Sequence, residues 1–254
     1  MKDNNNYYET NIIDCHSHFL PKMDDGSKSI DESIEMLLLT KKQGINSVCS
    51  TSHFYPNNET PESFKERRKL SLDSLLKEIE SKKIENLPDI YIGAEAYYFD
   101  GIGSSKRIKE CMIEGTHYLL LEMPFSEWSK IEYDEVILLM ENFGITPIIA
   151  HINRYINYGN NLKYIKKLQK EGCLLQLNSE FFIDKKTERK AIRFVKKGLV
   201  DLIGSDMHNT TSRPQTLSLT IKIIMEKCGP LYINKLENNA NMVFKNARKV
   251  SSTN

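Results

Sequence analysis

Short apolar runs alternate with longer amphipathic stretches along nearly the whole chain. Seven runs read as strands, at 12–15, 47–51, 90–94, 118–122, 147–150, 173–177 and 199–204. Between them, apolar residues recur at helical spacing. This predicts helices over 29–43, 61–83, 104–114, 132–143, 161–171, 184–197 and 212–228, with a last one over 231–247. Ile30, Ile34, Leu37 and Leu38 share one helical face, and Ser29 with Glu32 forms a capping-box pattern. Gly44, Gly144, Gly172 and Gly198 each follow a helical stretch, where C-terminal caps fall. Strand–helix alternation repeated seven times implies a parallel sheet. Seven units in about 240 residues suggest one α/β domain near the size of a (β/α)8 barrel, with a doubly wound open sheet as the alternative. The expected organisation is a barrel over 11–250 between disordered tails at 1–10 and 251–254.

Composition narrows the class. Of 254 residues, 40% are hydrophobic and 27% charged, as in soluble globular chains. Lys+Arg (35) and Asp+Glu (34) nearly cancel, which argues against a general nucleic-acid or anionic-membrane binder while leaving room for a local basic pocket. The cysteines at 15, 49, 111, 173 and 228 are odd in number and form no C-x-x-C, so they read as reduced thiols. The first eleven residues lack the apolar core of a signal peptide, and no apolar run reaches the 18 residues of a membrane helix. A cytoplasmic protein is expected, with any membrane link made through a partner.

The reactive side chains cluster. Five of the six histidines fall at or just past the C-terminal end of a strand: His16, His18, His53, His151 and His208. Glu95, Glu122 and Asp206 do the same. In parallel barrels that rim is where active sites are built. His16 and His18 stand at i and i+2, so both point to one side and can converge on one ion. Asp206 and His208 repeat the spacing on the last strand, which neighbours the first in a closed barrel. Asp24-Asp25-Gly26 is a turn, or a turn from which one aspartate reaches back into the mouth. Glu95 and Glu122 end apolar runs, where a carboxylate needs a nearby cation. Imidazole and carboxylate donors suit Zn, Mn or Fe. Arg154 and Arg213 lie in rim loops beside these residues and suit a phosphate clamp. Tyr97, Tyr98, Phe99 and Trp128 either line a peptide groove or pack the loops. His117 precedes a strand at the opposite face and reads as structural. Cys15 is expected to pack inward. There is no dinucleotide fingerprint, P-loop or nucleophile elbow, and no cysteine has an arginine six residues on.

Together these motifs resemble the polymerase and histidinol phosphatase (PHP) superfamily. They are Asp14-Cys-His16-Ser-His18, Asp24-Asp25-Gly26, Thr51-Ser-His53, Gly93-Ala-Glu95, His151-Ile-Asn-Arg154-Tyr155, and Ser205-Asp206-Met-His208-Asn209 followed by Arg213-Pro214. Within the superfamily they are most similar to the bacterial manganese-dependent protein-tyrosine phosphatases of capsular and exopolysaccharide biosynthesis, from about Ile12 to Ala247. The resemblance implies a distorted (β/α)7 barrel with three divalent metals, manganese first and Fe, Zn or Co as substitutes. His16, His18, Glu95 and Asp206 would hold one ion, Glu95 with Glu122 and His151 a second, and Asp25, His53 and His208 a third. Arg154 and Arg213 would grip the phosphate, and Asp25 and His208 count among the catalytic residues. A hydroxide on a metal would attack phosphorus in line, with no covalent phosphoenzyme. The substrate would be a phosphotyrosine protein, a bacterial tyrosine kinase of polysaccharide synthesis. The segment from Met123 to Trp128 departs from the family pattern and leaves substrate preference open. A small-molecule phosphoesterase such as histidinol-phosphate phosphatase shares every metal residue. A non-catalytic binding module and an exonuclease are the remaining readings, the first disfavoured by a complete ligand set and the second by the absence of a basic excess.

Overall fold

The computed structural model describes residues 11–250; the tails expected at 1–10 and 251–254 lie outside the described residues. All strand pairs are parallel. β1 (Asp14–Ser17), β2 (Ser47–Ser50) and β4 (Asp89–Ile92) form one sheet in the order β1-β2-β4. β3 (His53–Phe54), β5 (Glu95–Tyr97), β6 (Tyr118–Glu122), β7 (Thr146–Ile149), β8 (Leu174–Asn178) and β9 (Leu202–Gly204) form the other, in that order. β2 with β3, and β4 with β5, are two halves of single strand positions, broken at 51–52 and 93–94. Counted this way the sheet has seven positions, matching the seven apolar runs.

The curl closes where the first strand meets the last. Ser17 bridges Met207 in parallel. The Asp206 amide donates to the His16 carbonyl (2.8 Å), and the His18 amide donates to the Met207 carbonyl (2.9 Å). A register shift between Asp14 and Ser17 lets β1 turn Cys15 into the interior while His16 still reaches the rim. Ile13, Cys15, Cys49, Leu120, Ile148 and Leu202 share one buried cluster with Ala240, Val243 and Phe244 of α8 (Pro230–Phe244), which plugs the end opposite the rim. A larger apolar layer lies between the strands and the surrounding helices.

The helices follow the apolar pattern, with three departures. α1 (Ile30–Lys42) starts where Ser29 accepts from the Glu32 amide, and α3 (Lys130–Phe143) carries a complete capping box from Ser129 and Glu132. α2 (Pro61–Ser81) begins with proline in its first turn. The stretch 104–114 is instead two 3₁₀ turns, Ile102–Ser104 and Lys106–Cys111. Gly103 is pressed against α3, where its amide donates to Glu135 Oε2 (2.8 Å), and no room is left for a regular helix. The stretch 184–197 is helical only over α6 (Glu188–Lys196), and a separate short helix, α5 (Glu180–Ile183), precedes it. The helix expected from 212 starts only at α7 (Leu217–Cys228). Ahead of it, Asn209 Oδ1 accepts from the amides of Thr211, Ser212 and Arg213 and holds them as a loop. α4 (Asn161–Lys170) runs as expected. None of the described helices is long and apolar enough to cross a membrane.

Gly204 shows how tightly the closure is packed. A Cβ there would lie 2.4 Å from the Cβ of His16 and 3.0 Å from Gln176 Nε2. Gly204→Ala is expected to cost on the order of 1–3 kcal/mol by overpacking. The melting temperature should then fall by roughly 3–10 °C in a thermal scan, and an unchanged midpoint would mean the seam can relax.

Candidate metal centre

The rim gathers all nine residues singled out as ligands. His16 Nε2 lies 3.1 Å from His18 Nε2 and 3.1 Å from Glu95 Oε2. Asp206 Oδ1 is 3.4 Å from His16 and 3.6 Å from His18. His53 Nδ1 is 3.1 Å from Glu95 Oε2. His151 Nε2 is 2.8 Å from Glu95 Oε1 and 3.1 Å from Glu122 Oε1. Asp25 Oδ1 lies 3.3 Å from His208 Nε2 and 3.6 Å from His53 Nε2. The atoms form three overlapping groups with cation-binding spacing: His18, Asp25, His53 and His208; His16, His18 and Glu95; and His53, Glu95 and Glu122. In this arrangement His18, His53 and Glu95 each belong to two groups, so they sit at the joints between sites.

Strand ends place these side chains. Glu95, Glu122 and His53 finish or start β5, β6 and β3, paired across the sheet as His53↔Glu95 and Tyr97↔Glu122. His151 and Asp206 have positive φ, 28° and 54°, which few non-glycine residues adopt. Each turn aims a side chain into the mouth that a continuing strand would carry past it.

The residues present fit divalent cations. Glu95, Glu122 and Asp206 are buried, and among the described residues no lysine pairs with them. His53 Nδ1, His151 Nδ1 and His208 Nε2 are buried without a hydrogen-bond partner among the described residues. Burial opposes the charge on Glu95, yet His16 and His53 hold its carboxyl well below the usual range. Burial and the neighbouring His18 charge push His208 down to about 3, so it offers a lone pair across the physiological range. A set of imidazoles and carboxylates suits Mn, Fe, Zn or Co better than Ca.

Around this set lies a layer of residues that the sequence left unassigned. Asp24, not Asp25, faces inward: its Oδ2 accepts from His18 Nδ1 (2.8 Å) and from the His53 amide (2.8 Å). Asp25 is 63% exposed at the mouth. Gly26 permits the turn, because a Cβ there would meet the His18 carbonyl at 2.2 Å. Gln176 Oε1 accepts from the His151 amide (2.6 Å) and faces His16 Nδ1 (3.3 Å). Asn178 Nδ2 donates to Asp206 Oδ2 (2.8 Å). Polar residues at i and i+2 in an otherwise apolar strand were the available signal for this pair.

Arg154 and Arg213 converge: an Nη2 of each lies 2.7 Å from Asp206 Oδ2. Among the aromatic candidates, Trp128 and Tyr98 are buried, at 3% and 5% exposure, and pack the loops. The exposed rings at the mouth are Tyr55, stacked on His53 at 5.1 Å, and Phe125, stacked on His151 at 5.9 Å. Tyr97 is half-buried beside Tyr55 (5.9 Å). His117 is exposed ahead of β6, away from the rim.

Residues 12–249 match the family described as capsular polysaccharide synthesis, CpsB/CapC. The chain is 32% identical over 249 residues to tyrosine-protein phosphatase CpsB of Streptococcus agalactiae serotype III, covering 92% of this chain and 99% of that one. It is 34% identical over 229 residues to tyrosine-protein phosphatase CpsB of Streptococcus pneumoniae, covering 86% and 91%. In fold it is similar to a chain from the crystal structures of YwqE from Bacillus subtilis and CpsB from Streptococcus pneumoniae, described as unique metal-dependent tyrosine phosphatases. There the TM-score is 0.79 at 24% identity, with 94% of this chain and 97% of that chain covered.

Asp24→Asn tests the inward aspartate. Without the carboxylate, His18 loses the partner that fixes its tautomer and ring, so metal affinity should fall about 10–100-fold. Competition with a chromophoric chelator reads the change. Unaltered affinity would show that His18 keeps its orientation from packing alone.

Proposed function

The chain belongs to the CpsB/CapC family of capsular polysaccharide synthesis, and from that membership we propose that it is a metal-dependent protein-tyrosine phosphatase. The observation that carries this reading is the convergence of two arginines on a ring of nine oxygen- and nitrogen-donor residues, all but Asp25 largely buried. The proposed ligands are His16, His18, Asp25, His53, Glu95, Glu122, His151, Asp206 and His208, holding three divalent cations, manganese first. Bound there, the cations supply Lewis-acid activation of water and offset charge on the phosphoryl oxygens.

The chain's own groups do the rest. Arg154 and Arg213, which meet at one carboxylate oxygen, can meet equally at one phosphoryl oxygen and hold the group over Asp206. Asn178 and the second-row Gln176 keep Asp206 and His151 aimed into the mouth. Asp25 and His208, proposed as catalytic residues, face each other at the entrance, with Asp25 Oδ1 3.3 Å from His208 Nε2, and together would hold the cation that activates water there. The leaving tyrosine oxygen has a pKa near 10, so its departure needs little acid help. No cysteine takes part: among the described residues, Cys15, Cys49, Cys111 and Cys173 are buried, and burial pushes their thiols up.

The entrance suits a residue carried on a protein. Tyr55 (37% exposed) and Phe125 (43% exposed) stand open on the side of His53 and His151. Asp25 is open on the other, so the centre lies about one side chain deep. The proposed substrate is a phosphotyrosine protein, a bacterial tyrosine kinase of polysaccharide synthesis, met in the cytoplasm.

Chelator-stripped protein given Mn²⁺ should release phosphate from a phosphotyrosine peptide and not from histidinol phosphate. Release from histidinol phosphate alone would move the chain to small-molecule chemistry. His208→Ala or Asp206→Ala should abolish turnover while circular dichroism stays native. Wild-type rates in a metal-replete assay would remove these residues from the site. Arg213→Ala should raise KM at least about tenfold, as loss of a charged hydrogen bond implies, and an unchanged KM and kcat would count against the clamp.

A further inference from the structure

A near-neutral total conceals a separation of charge. The span 161–197 carries eleven lysines and arginines against four acidic residues, whereas the rest of the chain carries 24 against 30. On α4, Lys163, Lys166, Lys167 and Lys170 stand at i, i+3, i+4 and i+7, all exposed, opposite the buried Ile165 and Leu168. This helix holds no acidic residue. On α6, Arg189, Arg193, Lys196 and the capping Lys197 are exposed opposite the buried Ala191, Phe194 and Val195. The one carboxylate of α6, Glu188, is engaged by Lys227 of α7.

The two helices lie side by side across β8 and are tied at both ends. Lys190 Nζ donates to Asn157 Oδ1 (3.0 Å) near the rim, and Gln169 Nε2 donates to the Gly198 carbonyl (2.8 Å) at the opposite end. Their outward faces therefore form one basic wall, about 15 Å long at the rise of an α-helix. On and beside α2 and on α3 several cations are paired instead: Lys65, Arg67 and Arg107 with Glu110, Glu59 and Glu62, and Lys130 with Asp134. Among the described residues, none of the eleven cations in 161–197 forms a salt bridge.

We infer that this wall is a docking face for an anionic lipid bilayer. Two parallel helices make a broad surface, and a flat sheet of headgroups meets both at once where an extended chain would cover one strip. The rest of the protein is net acidic, which repels a polyanion that wraps and does not affect a plane touching one side. No exposed ring on either helix is free to stack a base: Lys167 lies over Tyr133 and Tyr164, at 5.6 Å and 5.7 Å. A phosphorylated acidic tail leaving the mouth toward α6 would cross the recess of about 280 Å³ beside Arg213, which Glu180 and Asp184 edge. Tyr158, 40% exposed just before α4, has the position that interfacial tyrosines take. Because α4 and α6 run down the barrel wall, the mouth opens at the edge of this face and stays accessible when the wall is covered. The contact is electrostatic and so reversible and sensitive to salt.

The test is co-sedimentation of the full chain with unilamellar vesicles. Vesicles of phosphatidylglycerol and phosphatidylcholine are compared with phosphatidylcholine alone, at about 50 mM and about 500 mM salt. The protein should pellet with the anionic vesicles at low salt, remain in solution with the neutral ones, and lose at least tenfold in partitioning at high salt. A variant with Lys166→Glu, Lys170→Glu, Arg193→Glu and Lys197→Glu should lose the same, with an unchanged thermal melt and unchanged rate on a short soluble phosphotyrosine peptide. If that variant misfolds, Lys166→Gln with Arg193→Gln should weaken binding in the same direction. Three results would overturn the inference: no phosphatidylglycerol-dependent pelleting, equal partitioning of wild type and variants, or retention by a soluble acidic phosphopeptide through these residues with vesicles ignored.

Discussion

The seam between β1 and β9 is the constraint on which the site depends. His16 and His18 ride on one side of it, Asp206 and His208 on the other, so the candidate ligands of the first and last strands meet only because the sheet curls shut. A buried carboxylate that pairs with no cation among the described residues makes the closure. Asp14 accepts from the Ser205 amide (2.8 Å), the Ser205 hydroxyl (2.6 Å) and Gln215 Nε2 (2.7 Å). Burial pushes this carboxyl up from its ordinary range, against the pull of those bonds. Each hydrogen bond to a charged group is worth about 1.5–3 kcal/mol. A non-glycine residue in a sparsely populated conformation, such as Asp206, costs on the order of 1–3 kcal/mol. Ser205 and Gln215 bracket Asp206 in the chain, so these bonds anchor both flanks of its turn.

The same logic extends inward along β8. A strand buried on both faces would ordinarily be apolar. Here Gln176 and Asn178 interrupt that rule, and each is spent on a rim residue: Gln176 on the amide of strained His151, Asn178 on the carboxylate of strained Asp206. Both left-handed residues of the centre thus have a dedicated polar support from one strand. The ring of donors is held from behind before any ligand enters, which is what preorganised chemistry needs.

Much of this was legible in the chain. The seven strand positions could be read because buried parallel strands are nearly continuous apolar runs, and the site because histidines and carboxylates recur at the ends of those runs. Three features were not legible, for physical reasons. The breaks at 51–52 and 93–94 arise from the sheet bending at its rim, which no local period encodes. The choice between Asp24 and Asp25 is made by Gly26 lying against the His18 carbonyl, a contact between distant atoms that a D-D-G string does not reveal. Exposure of the aromatic residues stayed open because ring identity says nothing about which loop packs down: Trp128 donates its indole N–H to the Pro124 carbonyl (2.9 Å) and is buried by the turn it closes, leaving Phe125 outside. The net charge is silent in a related way, since a sum over 254 residues cannot report that α4 and α6 hold almost no acid.

Charge also orders events at the centre. Asp24, Asp25, Glu95, Glu122 and Asp206 contribute five carboxylates, and the nearby full cations of the chain are Arg154 and Arg213, both already engaged with Asp206. With its imidazoles neutral, as metal ligation requires, the protein part of the mouth is net negative and repels a phosphate dianion. In the proposed centre, cations held among the carboxylates would reverse that sign, so that phosphate binding would follow cation binding and the two arginines would clamp an anion only in a filled centre.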